Sequence, residues 1–198
     1  FDEKGVCNYC NNYIKKKTQK SIDLLNAIIQ PYRNKKNEPD VIIPYSVTSI
    51  GNAVFVNCQS LISFSVDSGN PNYSSLSSVL FNKLQTTLIQ YPNGNTQTSY
   101  TIPSSVITIN IFAFAFSYKL ISVIIPTSVT SIANQVFQNC SILTSVTFNT
   151  TTIPLTNGTG VFFGTPSNCK VYVPGQLDGP NTTKLISNNI SLANIIVT

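Results

Sequence analysis

Three segments of this chain align with one another without a gap, and that internal repeat restricts the possible folds more than any other property of the sequence. They are IPYSVTSIGNAVFVNCQSLISFSV from Ile43, IPSSVITINIFAFAFSYKLISVII from Ile102 and IPTSVTSIANQVFQNCSILTSVTF from Ile125, the last two starting 23 residues apart. Equivalent positions hold Phe55, Phe114 and Phe137, then Cys58, Ser117 and Cys140, then Leu61, Leu120 and Leu143. A unit this short cannot bury its apolar face alone. Stacked units can, with Phe over Phe and Leu over Leu. Near the end of each unit Leu120, Val123 and Ile125 follow the spacing of a short strand with one face inward. Pro44, Pro103 and Pro126 come next and stop the strand, since proline cannot donate to a ladder. Val129, Ile132, Val136 and Phe137 then suit a loose helical or 3-10 turn on the opposite side.

The pattern Ile-Pro-x-Ser-Val-x-x-Ile, followed by Phe, Cys and Leu at fixed steps, resembles the BspA-type family of leucine-rich repeats over roughly residues 41–175. Ser117 replaces the family's Cys, and Val54 and Val136 replace its Ala. The resemblance implies a curved repeat solenoid of about four to five coils with one short parallel strand per coil. It also implies a non-catalytic protein-binding module associated with attachment to host or matrix proteins, at the cell surface or secreted. An intracellular interaction scaffold in the cytoplasm is the alternative, favoured by the odd number of cysteines.

Residues 66–101 are an irregular unit that looks like the variant unit of the same family, which implies an inserted hairpin. Its candidate strands are Val79 to Phe81 and Thr87 to Tyr91, with Asn82 to Gln85 turning between them and Asn93-Gly94 as the next turn. A degenerate unit runs from about Phe148 to Pro174. The pattern then fades, and residues 176–198 are expected to form a C-terminal cap in which Leu185, Ile186 and Ile190 cover the last coil.

Residues 1–40 do not fit the repeat and are read as an N-terminal arm or cap. Ile22, Leu25 and Ile29 place one apolar stripe on a helix from Ser21 to Gln30, ended by Pro31. FDEKGVCNYC is similar to the opening of N-acetyl sugar amidotransferases. That resemblance implies a metal-binding role for Cys7 and Cys10, and so a further alternative, a zinc-bearing arm of a larger enzyme. The nucleotide-binding Ser-Gly-Gly loop of those enzymes is absent, so no activity is carried over. A structural zinc site needs about four ligands, which makes a disulfide or two thiols the simpler reading of Cys7 and Cys10 and no metal the expectation.

Composition narrows the function. The chain has no His, Met or Trp, which removes Ser-His-Asp, Cys-His and His-metal chemistry. No two acids lie close enough in the repeats for glycoside hydrolysis, and no Gly-Lys-Ser/Thr follows the glycines of NGTG, so neither an enzyme nor a cofactor is expected. Residues 1–40 hold eight of the twelve basic and five of the seven acidic residues. The rest of the chain carries only Lys83, Lys119, Lys170, Lys184, Asp67 and Asp178, too few for a phosphate-tracking face, so no nucleic-acid partner is expected. No apolar run approaches the roughly 18–20 residues that span a bilayer. Phe at position 1 points to a processed chain or fragment, which leaves the lack of a signal peptide without weight. Six Asn-x-Ser/Thr sequons match the roughly five expected by chance in so Asn-rich a chain. Cys58 and Cys140, at one repeat position, are expected to be buried core thiols.

By repeat register, the outward side chains of the strand row are Ser63 and Ser65, Ser122 and Ile124, Ser145 and Thr147, then Lys170 and Tyr172. Such a face is neutral and rich in hydroxyls. It suits contact with a protein ligand, with Tyr172 as the foremost candidate anchor.

Overall fold

A computed structural model describes residues 41–154, 159–175, 180, 183, 185 and 187–198. The expected helix from Ser21 to Gln30, Cys7, Cys10 and Ile186 lie outside the described residues.

Alternation of buried and outward residues builds the first wall. The strands β6 (Ser99–Thr101), β8 (Ser122–Ile125), β10 (Ser145–Phe148), β11 (Lys170–Val173) and β12 (Ile195–Val197) lie side by side, all parallel, in the order 6-8-10-11-12. Val123, Ile125, Val146, Phe148, Val171 and Val173 face the core and are at most 1 % exposed. β1 (Val41–Ile43) and β2 (Phe64–Val66) form a separate parallel pair. The prolines end β1 and β8 as expected and follow one residue after β6. The Pro-x-Ser-Val motif that follows is a four-residue turn in each unit. The N–H groups of Val47, Val106 and Val129 donate to the carbonyls of Pro44, Pro103 and Pro126 at 3.1, 3.0 and 3.2 Å.

The opposite side carries strand as well as turn. β5 (Thr87–Gln90), β7 (Thr108–Ile109) and β9 (Ser131–Ile132) form a second parallel row, so the coils that start at Ile102 and Ile125 each contribute a second short strand beside the expected one. The inserted hairpin is present: β4 (Val79–Asn82) runs antiparallel to β5, and Asn82 to Gln85 turn between them. β3 (Tyr73–Leu76) adds a further antiparallel strand to it.

Between β7 and β8, and between β9 and β10, each coil makes a third side of tight turns. Pairs of left-handed residues four apart recur at one repeat position: Ala53 and Asn57, Phe112 and Phe116, Gln135 and Asn139, Gly160 and Gly164. Only the last pair is glycine, although a side chain in this region costs about 1 kcal/mol or more. In the coils that start at Ile102 and Ile125 this conformation aims backbone N–H groups at the adjoining coil. Phe112, Phe114 and Phe116 donate to the carbonyls of Asn134, Val136 and Gln138 at 3.3, 3.0 and 2.8 Å. Inside these turns the rings of Tyr91, Phe114, Phe137 and Phe162 form one stack, with centroids 5.3, 5.2 and 5.5 Å apart in that order. The expected column of Phe over Phe is therefore real from Tyr91 onward, while Phe55 packs edge-on against Phe64 at 4.9 Å.

The core falls into two clusters, one running from Val79 to Ile190 and a smaller one of Ile43 to Phe64 with Leu80. Backbone and amide groups of residues 90–95 bridge them. Gly94 N–H and the Asn95 side-chain amide donate to Leu61 O and Ile62 O at 2.8 and 3.2 Å. On the other flank Tyr91 N–H and the Gln90 amide donate to Ala113 O at 2.7 and 3.2 Å.

Cys58 and Cys140 are buried thiols at their shared repeat position, and Cys169 is a third. Cys140 Sγ donates to Phe114 O at 3.1 Å. Ser117 in the same column is buried, and its Oγ has no hydrogen-bond partner among the described residues. Desolvation by burial pushes the Cys140 thiol up to about 12, the Cys169 thiol up to about 11 and the Tyr91 phenol up to about 12. Thiol reagents are thus expected to spare Cys58, Cys140 and Cys169 in the native protein and to label them in denaturant, because labelling needs an accessible thiolate. The same shifts predict alkaline instability. Thiols that ionise near 9 in the unfolded chain keep their protons when folded, so folding binds more protons above that pH. Their stabilisation is complete below pH 9 and is lost as the pH rises towards 11 and 12. Urea midpoints that do not fall across this window, or rapid native labelling, would contradict the burial of the column.

Candidate binding face on the strand wall

The ladder register decides which outward side chains meet. Ser99, Ser122, Ser145 and Lys170 stand opposite one another on β6, β8, β10 and β11. Two residues on, Thr101, Ile124, Thr147, Tyr172 and Ile196 make a second row across all five strands. Strands lie about 4.8 Å apart, so this row runs for about 19 Å. Its members remain solvent-accessible: Ile124 is 38 % exposed, Thr101 is exposed, and Thr147, Tyr172 and Ile196 are half-buried.

Six of the eight predicted face residues are therefore brought together: Ser122, Ile124, Ser145, Thr147, Lys170 and Tyr172. Ser63 and Ser65 are not. Ser65 pairs with Ile42 in the β1–β2 sheet, and Ser63 precedes β2, so both stand apart from the five-stranded wall. The irregular unit with its hairpin separates the two sheets. Ser99, Thr101 and Ile196 belong to the face without having been predicted. The first two had a signal, since Ile102-Pro103 marks the end of a strand as Ile125-Pro126 does. Ile196 had none, because LANIIVT lacks the motif.

Chemically the face offers hydroxyls, aliphatic carbon and one phenol, with Lys170 the one charge in the two rows. Among the described residues no three His, Cys, Asp or Glu side chains are grouped as a metal site would need. No helix among them is long and apolar enough to cross a membrane.

The BspA-type leucine-rich repeat region matches six copies in this chain, over residues 30–100 and 93–196. That exceeds the four to five coils read from the motif, because units that have lost the Phe and Leu markers still coil. A leucine-rich repeat protein from Eubacterium ventriosum is 26 % identical, with a TM-score of 0.52, covering 79 % of this chain and 48 % of its own. A leucine rich cell surface protein from Faecalibacterium prausnitzii is 25 % identical, with a TM-score of 0.58, covering 80 % of this chain and 47 % of its own. The chain thus spans about half the length of these solved relatives. A search of curated proteins found no match.

Proposed function

The chain belongs to the BspA-type leucine-rich repeat family, and from that premise we propose that it is a non-catalytic protein-binding module acting at the cell surface in adhesion or surface recognition. The observation that carries this reading is the in-register outward row Thr101, Ile124, Thr147, Tyr172 and Ile196, a continuous neutral surface on a rigid wall. Display at the surface is supported by the Faecalibacterium relative, itself described as a cell surface protein. Partner binding rests on Tyr172 and Ile124, the aromatic and aliphatic groups able to anchor an interface whose rim is hydroxyl-rich.

The test is a binding assay against immobilised extracellular-matrix proteins. Tyr172→Ala combined with Ile124→Ser is expected to weaken binding at least about tenfold, the usual consequence of losing interface anchors. Raising salt from about 50 to about 500 mM is expected to change it little, since phosphate-type neutralisation is absent. If the double variant binds unchanged while removal of residues 1–40 abolishes binding, recognition lies in the basic arm and this reading is wrong.

A further inference from the structure

The ladder of turn-to-turn hydrogen bonds and the aromatic stack break at the same place, just after the first coil. In the coil that starts at Ile125, Gln135, Phe137 and Asn139 donate their N–H groups to Thr159, Val161 and Phe163 at 3.1, 2.8 and 2.7 Å, repeating the pattern of Phe112, Phe114 and Phe116. Ala53, Phe55 and Asn57 hold these positions in the first coil, with Ala53 and Asn57 in the same left-handed conformation. None of their three N–H groups has an acceptor among the described residues.

Chain length explains the gap. Leu88, Ile109 and Ile132 are in register on one wall, and Ser99, Ser122 and Ser145 on the other. From Ile109 to Ser122, and from Ile132 to Ser145, the chain advances 13 residues, but from Leu88 to Ser99 it advances 11. The irregular unit is two residues short in its turn segment and does not place carbonyls opposite the first coil. Phe55 accordingly leaves the ring stack for Phe64. The result is a cleft of about 250 Å³ lined by Ala53 and Phe55 of the first coil, Ile89 of β5, Ile111 of the following coil, Tyr73 and the exposed Asn52 among others, with no charged residue.

We propose that this cleft binds a peptide segment of a partner protein in the turn conformation of residues 134–138, whose main-chain carbonyls accept from the N–H groups of Ala53, Phe55 and Asn57. Phe55 is buried and Ala53 half-buried, and backbone donors so placed demand acceptors; Asn57 is exposed and extends the row to the surface. In the two coils that start at Ile102 and Ile125, polypeptide backbone fills this position. Donors on alternate residues match carbonyls on alternate residues of the occupant, as Asn134, Val136 and Gln138 supply them to Phe112, Phe114 and Phe116 one coil on. Electrostatic complementarity agrees: the lining offers dipoles and no ion, which matches a neutral backbone, and Ile89 and Ile111 offer contact to its side chains. This site is distinct from the strand-wall face and does not depend on it.

The experiment is an amide-resolved NMR titration of the full chain with a synthetic peptide copying residues 133–140 with Cys140→Ser, the segment that fills the equivalent place one coil on. The amide signals of Ala53, Phe55 and Asn57 are expected to shift saturably, with Kd on the order of 1 mM, the scale of a few net hydrogen bonds. Signals of Phe114 and Phe137 should stay in place. Ile111→Arg, and independently the surface change Asn52→Arg, are each expected to weaken binding at least about tenfold by crowding the cleft. Tyr172→Ala with Ile124→Ser should leave the titration unchanged, which separates this site from the strand wall. The proposal is overturned if the three amides do not move, if Asn52→Arg and every folded cleft variant bind as the parent does, or if acetate alone moves the same amides equally.

Discussion

Replacing Phe137 by alanine is expected to lower the unfolding free energy by about 3–5 kcal/mol, through lost transfer energy and the cavity left behind. Phe137 has no solvent exposure and lies between Phe114 and Phe162, with ring centroids 5.2 and 5.5 Å away. Its removal unstacks two coil interfaces at once, and the tight turns around it leave little freedom for collapse into the void. Ser145→Ala, on the outward face of the same coil, is expected to change stability by about 0.5 kcal/mol or less. Urea unfolding of the two variants measures the contrast. Equal midpoints would mean that the ring stack is not what holds successive coils together.

Gly94→Ala is expected to be comparably damaging for an unrelated reason. A Cβ at Gly94 runs into the carbonyl oxygen of Gln59 and lies 2.9 Å from the Ser60 carbonyl carbon and 3.0 Å from Leu61 O. All three obstacles are backbone, so nothing can rotate aside, and the cost belongs at the top of the overpacking range, about 3 kcal/mol. The clash forces apart the segment that joins the two core clusters. Hydrogen exchange should therefore show protection lost mainly in residues 43–66, with residues 102–148 retaining theirs. Gly69→Ala is the control. Its new Cβ would meet only side chains, the exposed Asp67 carboxylate at 3.2 Å, which accepts from the Gly69 N–H, and the exposed Tyr45 ring at 3.3 Å, and it should cost about 1 kcal/mol or less. Uniform loss of protection in Gly94→Ala would contradict the division of the core.

The repeat made much of this architecture readable. Phe, Cys and Leu recur at fixed steps because each must sit beneath its counterpart in the next coil, so the buried column and the strand row followed from spacing, and the hairpin at Val79 to Tyr91 from the resemblance to the family's variant unit. The second strand row was not readable. Thr108–Ile109 and Ser131–Ile132 are two residues long, too short to show alternation, and they become strands only because neighbouring coils hold them in register. The tight turns hid for a similar reason. Phe112 and Phe116 in left-handed backbone contradict local preference, and their N–H groups bond the next coil, a partner that local sequence cannot reveal. On the strand wall the ladder pairs Ser122, Ser145 and Lys170, and Ile124, Thr147 and Tyr172, as the repeat register expects. Ser65 instead pairs with Ile42 in a separate two-stranded sheet, a division that a sequence alignment, which only equates positions, does not show.

The direction of the inter-coil hydrogen bonds also sets how the molecule responds to force. Strand and turn ladders alike run from one coil to the next, along the axis on which the coils are stacked. Tension applied to the two ends of the chain loads these bonds one rung at a time, as in unzipping, and never shears a whole strand pair together. Since each coil contacts only its neighbours, the array should lengthen in small successive steps, with each peeled coil adding slack before the next is strained. Such a domain between two anchored bodies would act as an extensible tether, yielding coil by coil and re-forming as tension falls.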